Sequence, residues 1–498
     1  MKDRVAVILT ALTAVLHLAV ANRYDVFRDE LYFIVCGRHP QFGYADQPPL
    51  IPLLNAALYG LGGQTWILRL PDVFAAAALV WLVVAFVRTL GGGDRAAWIG
   101  GAVAALAPML MGLTATVNTT VFEPLAWTFV AYALVRAALH DDRRSLIWAG
   151  VVSGLAMEAK YALPIWLVGL AVGLALTPER RLLRVRELWL GVAIAVVIAL
   201  PSVLWQAANG WPFAAIVHAA GGKNADVPAF LFTINQIFVF NPFFAPVWLA
   251  GLIAPFLSRD FARLRFIPIA YAIIAVAIYL GHGKDYYLAP AYPSLIAIGA
   301  VAIALAIRSV LMTSGYGALA IAFSAMLAPL ALPLLPVDQI APYMQALHLA
   351  PRAQEKGDVG TRLPQSFADQ LGWHDFVREV AAAWDKIPAP ERPRTSILVD
   401  NYGEAGALEI YGPAYGLPPP LSGHNQYGFW GLRGQHPQNV LRVHRETDEA
   451  AGHCNHPRIL GTTSSAYGMA YENGKAILYC PNAHPPLDVT FPSFRELI

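Results

Sequence analysis

The sequence predicts a mostly α-helical, polytopic membrane protein of about eleven transmembrane helices, followed by a C-terminal α/β domain outside the cytoplasm. Three observations carry this. Of 498 residues, 57% are hydrophobic and only 14% charged, where soluble domains carry about a quarter. Apolar stretches near the length of a span recur through the first two thirds of the chain. The last third turns polar and Pro-rich. A net charge of +2 implies no nucleic-acid partner, and three cysteines are too few for a disulfide scaffold.

The spans are read at about 5–21, 68–87, 96–113, 121–139, 145–157, 161–176, 188–206, 229–257, 266–280, 288–307 and 316–335. The first resembles a signal peptide, but an uncleaved span is expected ahead of the polar run Asn22-Arg23-Tyr24-Asp25. Fifteen basic residues fall on one side of the short loops and seven on the other. The clusters Arg136/Arg143/Arg144 and Arg180/Arg181/Arg184/Arg186 lie on the richer side. Positive-inside bias then puts the N-terminus in the cytoplasm and the tail outside.

The expected domains are 1–336, a membrane domain with a long outer loop at 22–67, and 337–498, an outer domain. In the tail, Asp375–Ile387 has helical spacing of Phe376, Val377, Val380 and Trp384, and Thr395–Val399 reads as a strand. Cys454 and Cys480 both lie there, where a bridge could persist; two separate buried thiols fit the spacing equally well.

Four segments carry residues suited to chemistry. Asp29 and Glu30 follow the first span. Adjacent carboxylates beside a bilayer suit a general base, or the acidic first turn of an interfacial helix at Glu30–Gly37. Asp46, before Pro48-Pro49, suits a divalent cation or a sugar hydroxyl, or a cap on the helix that follows. Glu123, before Pro124, is either a capping residue or a third acid at the outer surface. Lys284, Tyr286 and Tyr287 offer a cation and hydroxyls at headgroup height, suited to a lipid phosphate or to an aromatic belt with a snorkelling lysine. Lys160-Tyr161 repeats that chemistry, with Glu158 nearby to neutralise it. No P-loop, GxSxG, HExxH or dinucleotide fingerprint is present, so no nucleotide cofactor is expected. His453-Cys454-Asn455-His456 has metal-ligand residue types but no supporting cluster.

In order along the chain these motifs are Asp-Glu after the first span, Asp46-x-Pro-Pro-Leu, Glu123-Pro-Leu, and Lys284-x-Tyr-Tyr-Leu-x-Pro-x-Tyr-Pro. The set resembles the bacterial branch of the GT-C glycosyltransferases, the protein O-mannosyltransferases and the aminoarabinose transferase acting on lipid A. Tyr402-Gly403-Glu404-Ala405-Gly406-Ala407 and Ser422-Gly423-His424-Asn425 are similar to the outer domain of bacterial members. The resemblance implies a bacterial inner-membrane enzyme that moves a sugar from a polyprenyl-phosphate donor to a glycan, lipid or protein acceptor, with inversion. Asp29 matches the acid that deprotonates the acceptor, and Glu30 its neighbour. Asp46 and Glu123 match metal- or substrate-binding acids, with Mg, Mn or Zn as the implied cation. Lys284, Tyr286 and Tyr287, with Lys160, match the lipid-phosphate segment. Glu123 stands where the family usually has Asp. A secondary transporter and a non-catalytic assembly protein are the rival classes; matched halves and mid-membrane charges, which transport favours, are missing from the sequence.

Overall fold

A computed structural model describes residues 3–224, 227–351, 355, 360–445, 454 and 456–497. The described chain is mostly helical, with one small sheet near its C-terminal end. Four helices are long and apolar enough to cross a bilayer: Thr65–Thr89, Arg186–Ala208, Asp285–Ala306 and Val310–Leu330. Two further pairs qualify only if each bent pair counts as one span. Leu163–Ala175 meets Pro178–Arg184 at 119°, and Ala229–Phe240 meets Ala245–Leu257 at 118°.

By this measure of length and composition, four to six spans qualify among the described residues, where hydropathy reads eleven. Apolar composition does not register a break in the backbone. The stretch 96–113 divides at Ala107, whose extended conformation (ψ 118°) ends one helix before Pro108 starts the next. The stretch 229–257 divides at Asn241, at φ 84°, followed by Pro242. Arg4–Val20 and Phe266–Leu280 are apolar but short.

The chain forms two compact units. The first comprises Met1–Arg23, Gln64–Leu204 and Asp226–Leu334. Its core is aliphatic and aromatic; Trp127 and Trp166 stack at 5.5 Å, and the Trp166 indole N–H donates to the Trp127 carbonyl at 3.0 Å. Small residues let its helices approach. A Cβ at Gly251 would strike the Leu295 carbonyl, and one at Gly299 the Val247 carbonyl, so Ala245–Leu257 and Tyr292–Ala306 meet backbone to backbone. In Val310–Leu330 only 11% of the most apolar stretch is buried, which leaves a face that only lipid would cover favourably.

The second unit comprises Tyr24–Gly63, Trp205–Ala225 and Leu335–Ile498, so most of the outer loop packs with the tail. Its sheet has the order β2-β1-β3-β5-β4. The strands are β1 (Thr395–Val399), β2 (Leu421–Ser422), β3 (Asn439–His444), β4 (Arg458–Thr462) and β5 (Ala476–Cys480). β1 pairs in parallel with β2 and β3, and β5 runs antiparallel to β3 and β4. All five residues of β1 are buried, as a strand covered on both faces requires. The helix Trp373–Asp385 buries Phe376, Val377, Val380 and Trp384 along one stripe. Cys454 and Cys480 form a disulfide, with Cα atoms 5.3 Å apart. His453 and Asn455 lie outside the described residues.

Candidate active site

Asp29 and Glu30 open the helix Arg28–Arg38, which starts two residues before the interfacial helix read from sequence. The two carboxylates separate in role. Glu30 is fully buried and turns back on the chain, accepting from the Phe27 backbone N–H at 2.8 Å as the reciprocal half of a helix cap. Asp29 keeps about a quarter of its side chain exposed and accepts from the Tyr402 hydroxyl at 2.9 Å. The Arg28 Nε lies 3.6 Å from Asp29 Oδ1, and its Nη1 lies 3.5 Å from Asp369 Oδ1. The same guanidinium donates to the Tyr471 hydroxyl and sits 5.3 Å from the Tyr402 ring centroid.

Asp46 lies in the same unit. Its Oδ1 accepts from the Tyr32 hydroxyl at 2.8 Å, and its Oδ2 from the Asn425 amide at 3.4 Å. Burial pushes the carboxyl up to about 7, against the Tyr32 hydrogen bond, and the Asp29 charge adds to the rise. Asp46 does not cap the next helix; that helix is Leu50–Tyr59, with Pro49 at its cap and no side-chain bond to its first turn. The rings of Tyr32 and Tyr402 lie 4.6 Å apart, so the partner of Asp46 leans on the partner of Asp29.

The first unit holds the remaining candidates. Glu123 starts the helix Glu123–His140, with Pro124 at its first turn. Its carboxylate meets the Lys160 ammonium at 2.8 Å. Glu158, the neighbour proposed from sequence, instead accepts from the Ser202 hydroxyl at 2.8 Å. Lys160 also stands 5.4 Å from the Tyr287 ring centroid, Tyr287 packs edge-on against Tyr286 at 4.9 Å, and Lys284 lies 6.0 Å from the Tyr286 centroid. Glu123, Lys160, Tyr287, Tyr286 and Lys284 thus form one continuous chain of contacts, a pattern that cation–π attraction and ion pairing both favour.

The implied divalent cation finds little support in the donor set. Among the described residues no group of three or more His, Cys, Asp or Glu side chains gathers as a cage. Asp46 has a hydroxyl and an amide as neighbours, and Glu123 is matched with a lysine. These residues do not fit a resident cation, and no step is assigned to one.

Sequence reasoning missed the roles of Tyr32, Tyr402, Asn425 and Gln426. Gln426 donates its backbone N–H to the Tyr32 hydroxyl at 3.1 Å and accepts from the Ala45 N–H at 2.9 Å. The usable signal was the pair of tail motifs around Tyr402 and Asn425, which the resemblance singled out without assigning a role. Nearby, Lys475 is buried among Glu404, Glu472 at 3.2 Å and Asp400 at 3.3 Å. His444 Nδ1 is 2.6 Å from the other Asp400 oxygen.

Residues 46–205 match the family described as dolichyl-phosphate-mannose-protein mannosyltransferase. The lipid A galacturonosyltransferase RgtD of Rhizobium johnstonii is 31% identical over 189 residues. That match covers 36% of this chain and 38% of RgtD, so the shared stretch is well under half of this curated relative. ArnT from Cupriavidus metallidurans, solved bound to undecaprenyl phosphate, has the same fold with a TM-score of 0.64 at 15% identity, over 96% of this chain and 98% of ArnT. The apo form of ArnT gives 0.62 at 14% identity, over 98% of both chains. The chain is thus similar to the mannosyltransferase family over residues 46–205 and shares the fold of ArnT along nearly its whole length.

Proposed function

We propose that the protein transfers a sugar from a polyprenyl-phosphate donor to an acceptor hydroxyl at the outer face of a bacterial inner membrane, with inversion at the anomeric carbon. The N-terminus is cytoplasmic and the tail extracytoplasmic in this reading. Asp29 takes the proton of the acceptor hydroxyl as its oxygen bonds to the anomeric carbon. The bond from that carbon to the phosphate oxygen breaks, and the electron pair leaves with the polyprenyl phosphate. Lys284, Lys160 and the hydroxyls of Tyr286 and Tyr287 receive the phosphate and stabilise its growing charge. Asp46, with Tyr32 and Asn425, binds sugar hydroxyls. Glu123 holds Lys160 in place, and Glu30 fixes the helix that carries Asp29.

The observation that carries this reading is the state of Asp29: a partly exposed carboxylate on a helix start, with the Tyr402 phenol and the Arg28 guanidinium both on its Oδ1. The relatives support the donor class, since one is a lipid A galacturonosyltransferase and another was solved with undecaprenyl phosphate. A lipid-linked donor also suits a chain whose candidate phosphate ligands lie beside apolar helices.

The test uses protein purified into lipid nanodiscs, a polyprenyl-phosphate hexose or pentose with a labelled sugar, and a lipid A or membrane glycan acceptor. Transfer by the parent, and a loss of about 100-fold or more in Asp29→Asn, is expected for removal of a general base. Equal turnover by both would remove Asp29 from the role.

A further inference from the structure

The helix Tyr402–Tyr411 lies directly against Arg28–Arg38, within one unit of the fold. Two glycines set the approach. A Cβ at Gly403 would collide with the Arg28 side chain, and a Cβ at Gly406 would press on the Leu31 backbone at 3.2 Å. The helix start is held just as closely. Asn401 accepts from the N–H groups of Gly403 at 2.9 Å and Glu404 at 3.0 Å, while Glu404 accepts from the Asp400 N–H at 2.9 Å and is itself paired with Lys475. Tyr402, the first residue of this helix, has its ring confined by Tyr32 at 4.6 Å, His424 at 4.9 Å and the Arg28 guanidinium at 5.3 Å. A ring held on three sides has one place to put its hydroxyl, and that place is Asp29 Oδ1.

We infer that Tyr402 is a positioning residue for the transfer: its O–H locks the Asp29 carboxylate in one orientation, so that the other oxygen is presented to the acceptor hydroxyl. The inference rests on the reading of Asp29 as general base. It makes the outer tail part of the catalytic apparatus. Such pre-orientation raises the rate of the chemical step without adding affinity for the donor. Burial keeps the phenol well above its ordinary range, so it remains a donor at any working pH. The groups that face Asp29 are Arg28 on its own helix, Tyr402 on the tail helix and Asp46 on the outer loop, with Asp369 and Tyr471 beyond Arg28.

The experiment compares Tyr402→Phe with Asp29→Asn and the parent in nanodiscs, with labelled polyprenyl-phosphate sugar. Tyr402→Phe is expected to lower kcat by roughly tenfold to 100-fold with the donor KM unchanged. Parent-like kcat in Tyr402→Phe, with Asp29→Asn inactive, would overturn the inference and leave the base intact. Full activity of Asp29→Asn would overturn the base itself. If Tyr402→Phe does not fold, 3-fluorotyrosine at 402 keeps the hydroxyl with a more acidic proton. It is expected to fold and to change kcat with the donor KM unchanged; a parent-like kcat there would overturn the inference equally.

Discussion

The Tyr32 hydroxyl donates to Asp46 Oδ1 at 2.8 Å, a bond that joins the first helix of the outer loop to the turn that ends it. Tyr32 is itself fully buried and accepts from the Gln426 N–H, so the bond is anchored from the tail as well. A carboxyl in this setting titrates near neutrality rather than near 4.

The sign of the consequence follows from linkage. The Asp46 carboxyl is raised in the fold, so its contribution to stability is full below the ordinary range of aspartate and is lost as pH rises through about 7. Asp46→Asn, a neutral isostere, removes that slope. The melting temperatures of parent and variant are expected to agree below about pH 4, and the variant is expected to be a few degrees higher near pH 8. Differential scanning fluorimetry in detergent checks this; a variant less stable than the parent at the higher pH would contradict it.

Asp29 and Asp46 were legible in the sequence because carboxylates are rare beside spans and because Pro48-Pro49 marks a stiff turn. Their partners were not. Tyr402 lies 373 residues from Asp29 and Asn425 lies 379 from Asp46, separations no local pattern encodes. Lys160 shows a subtler failure. Glu158 is nearer in sequence, but it lies on the helix Arg144–Ala159 while Lys160 is the extended residue just past its end, and the ion pair forms with Glu123 at the start of another helix. The tail strand Thr395–Val399 and the helix around Phe376–Trp384 were visible because strand and helix each impose a period on local residues. Breaks within spans were not legible for the converse reason: one such as that at Asn241-Pro242 leaves mean hydropathy almost unchanged.

The Glu123–Lys160 pair makes a separable prediction. Their side chains are 11% and 23% exposed, so Glu123→Gln leaves an ammonium nearly buried without its counter-charge. A loss of about 3 kcal/mol is expected, at the lower edge of what breaking a buried pair costs. Lys160→Met in the same background restores much of the stability. If Lys160 also receives the donor phosphate, the double variant stays weak in donor binding although it folds. Thermal melts and donor titration of the three variants separate the two roles; recovery of donor affinity in the double variant would confine Lys160 to structure.

The Cys454–Cys480 bridge closes a loop of 26 residues. Constraint of the unfolded chain over such a loop is worth about 3 kcal/mol. Replacing both cysteines with serine is expected to lower the unfolding free energy of the tail by that amount. The bridge anchors β5, the strand between β3 and β4, so the loss spreads through the sheet. Circular dichroism in denaturant, with the parent reduced and oxidised, provides the comparison. No change on reduction would mean that the rest of the sheet carries the tail unaided.

Lys475 offers the sharpest stability test, because three carboxylates depend on it. Its side chain is 5% exposed and meets Glu404, Glu472 and Asp400. Burial opposes its charge, yet those acids outweigh the penalty and hold the ammonium well above its ordinary range. Lys475→Met keeps the volume and removes the charge, leaving Glu404 fully buried without a cation. Truncating one member of such a cluster costs about 3–5 kcal/mol. Glu404 also caps the helix that starts at Tyr402, so the loss propagates to the phenol that holds Asp29. Lys475→Met is therefore expected to lower transfer and tail stability together. Glu404→Gln in that background removes the orphaned charge and restores part of both. If Lys475→Met retained its melting temperature but lost activity, the lysine would act in the chemistry rather than in the scaffold.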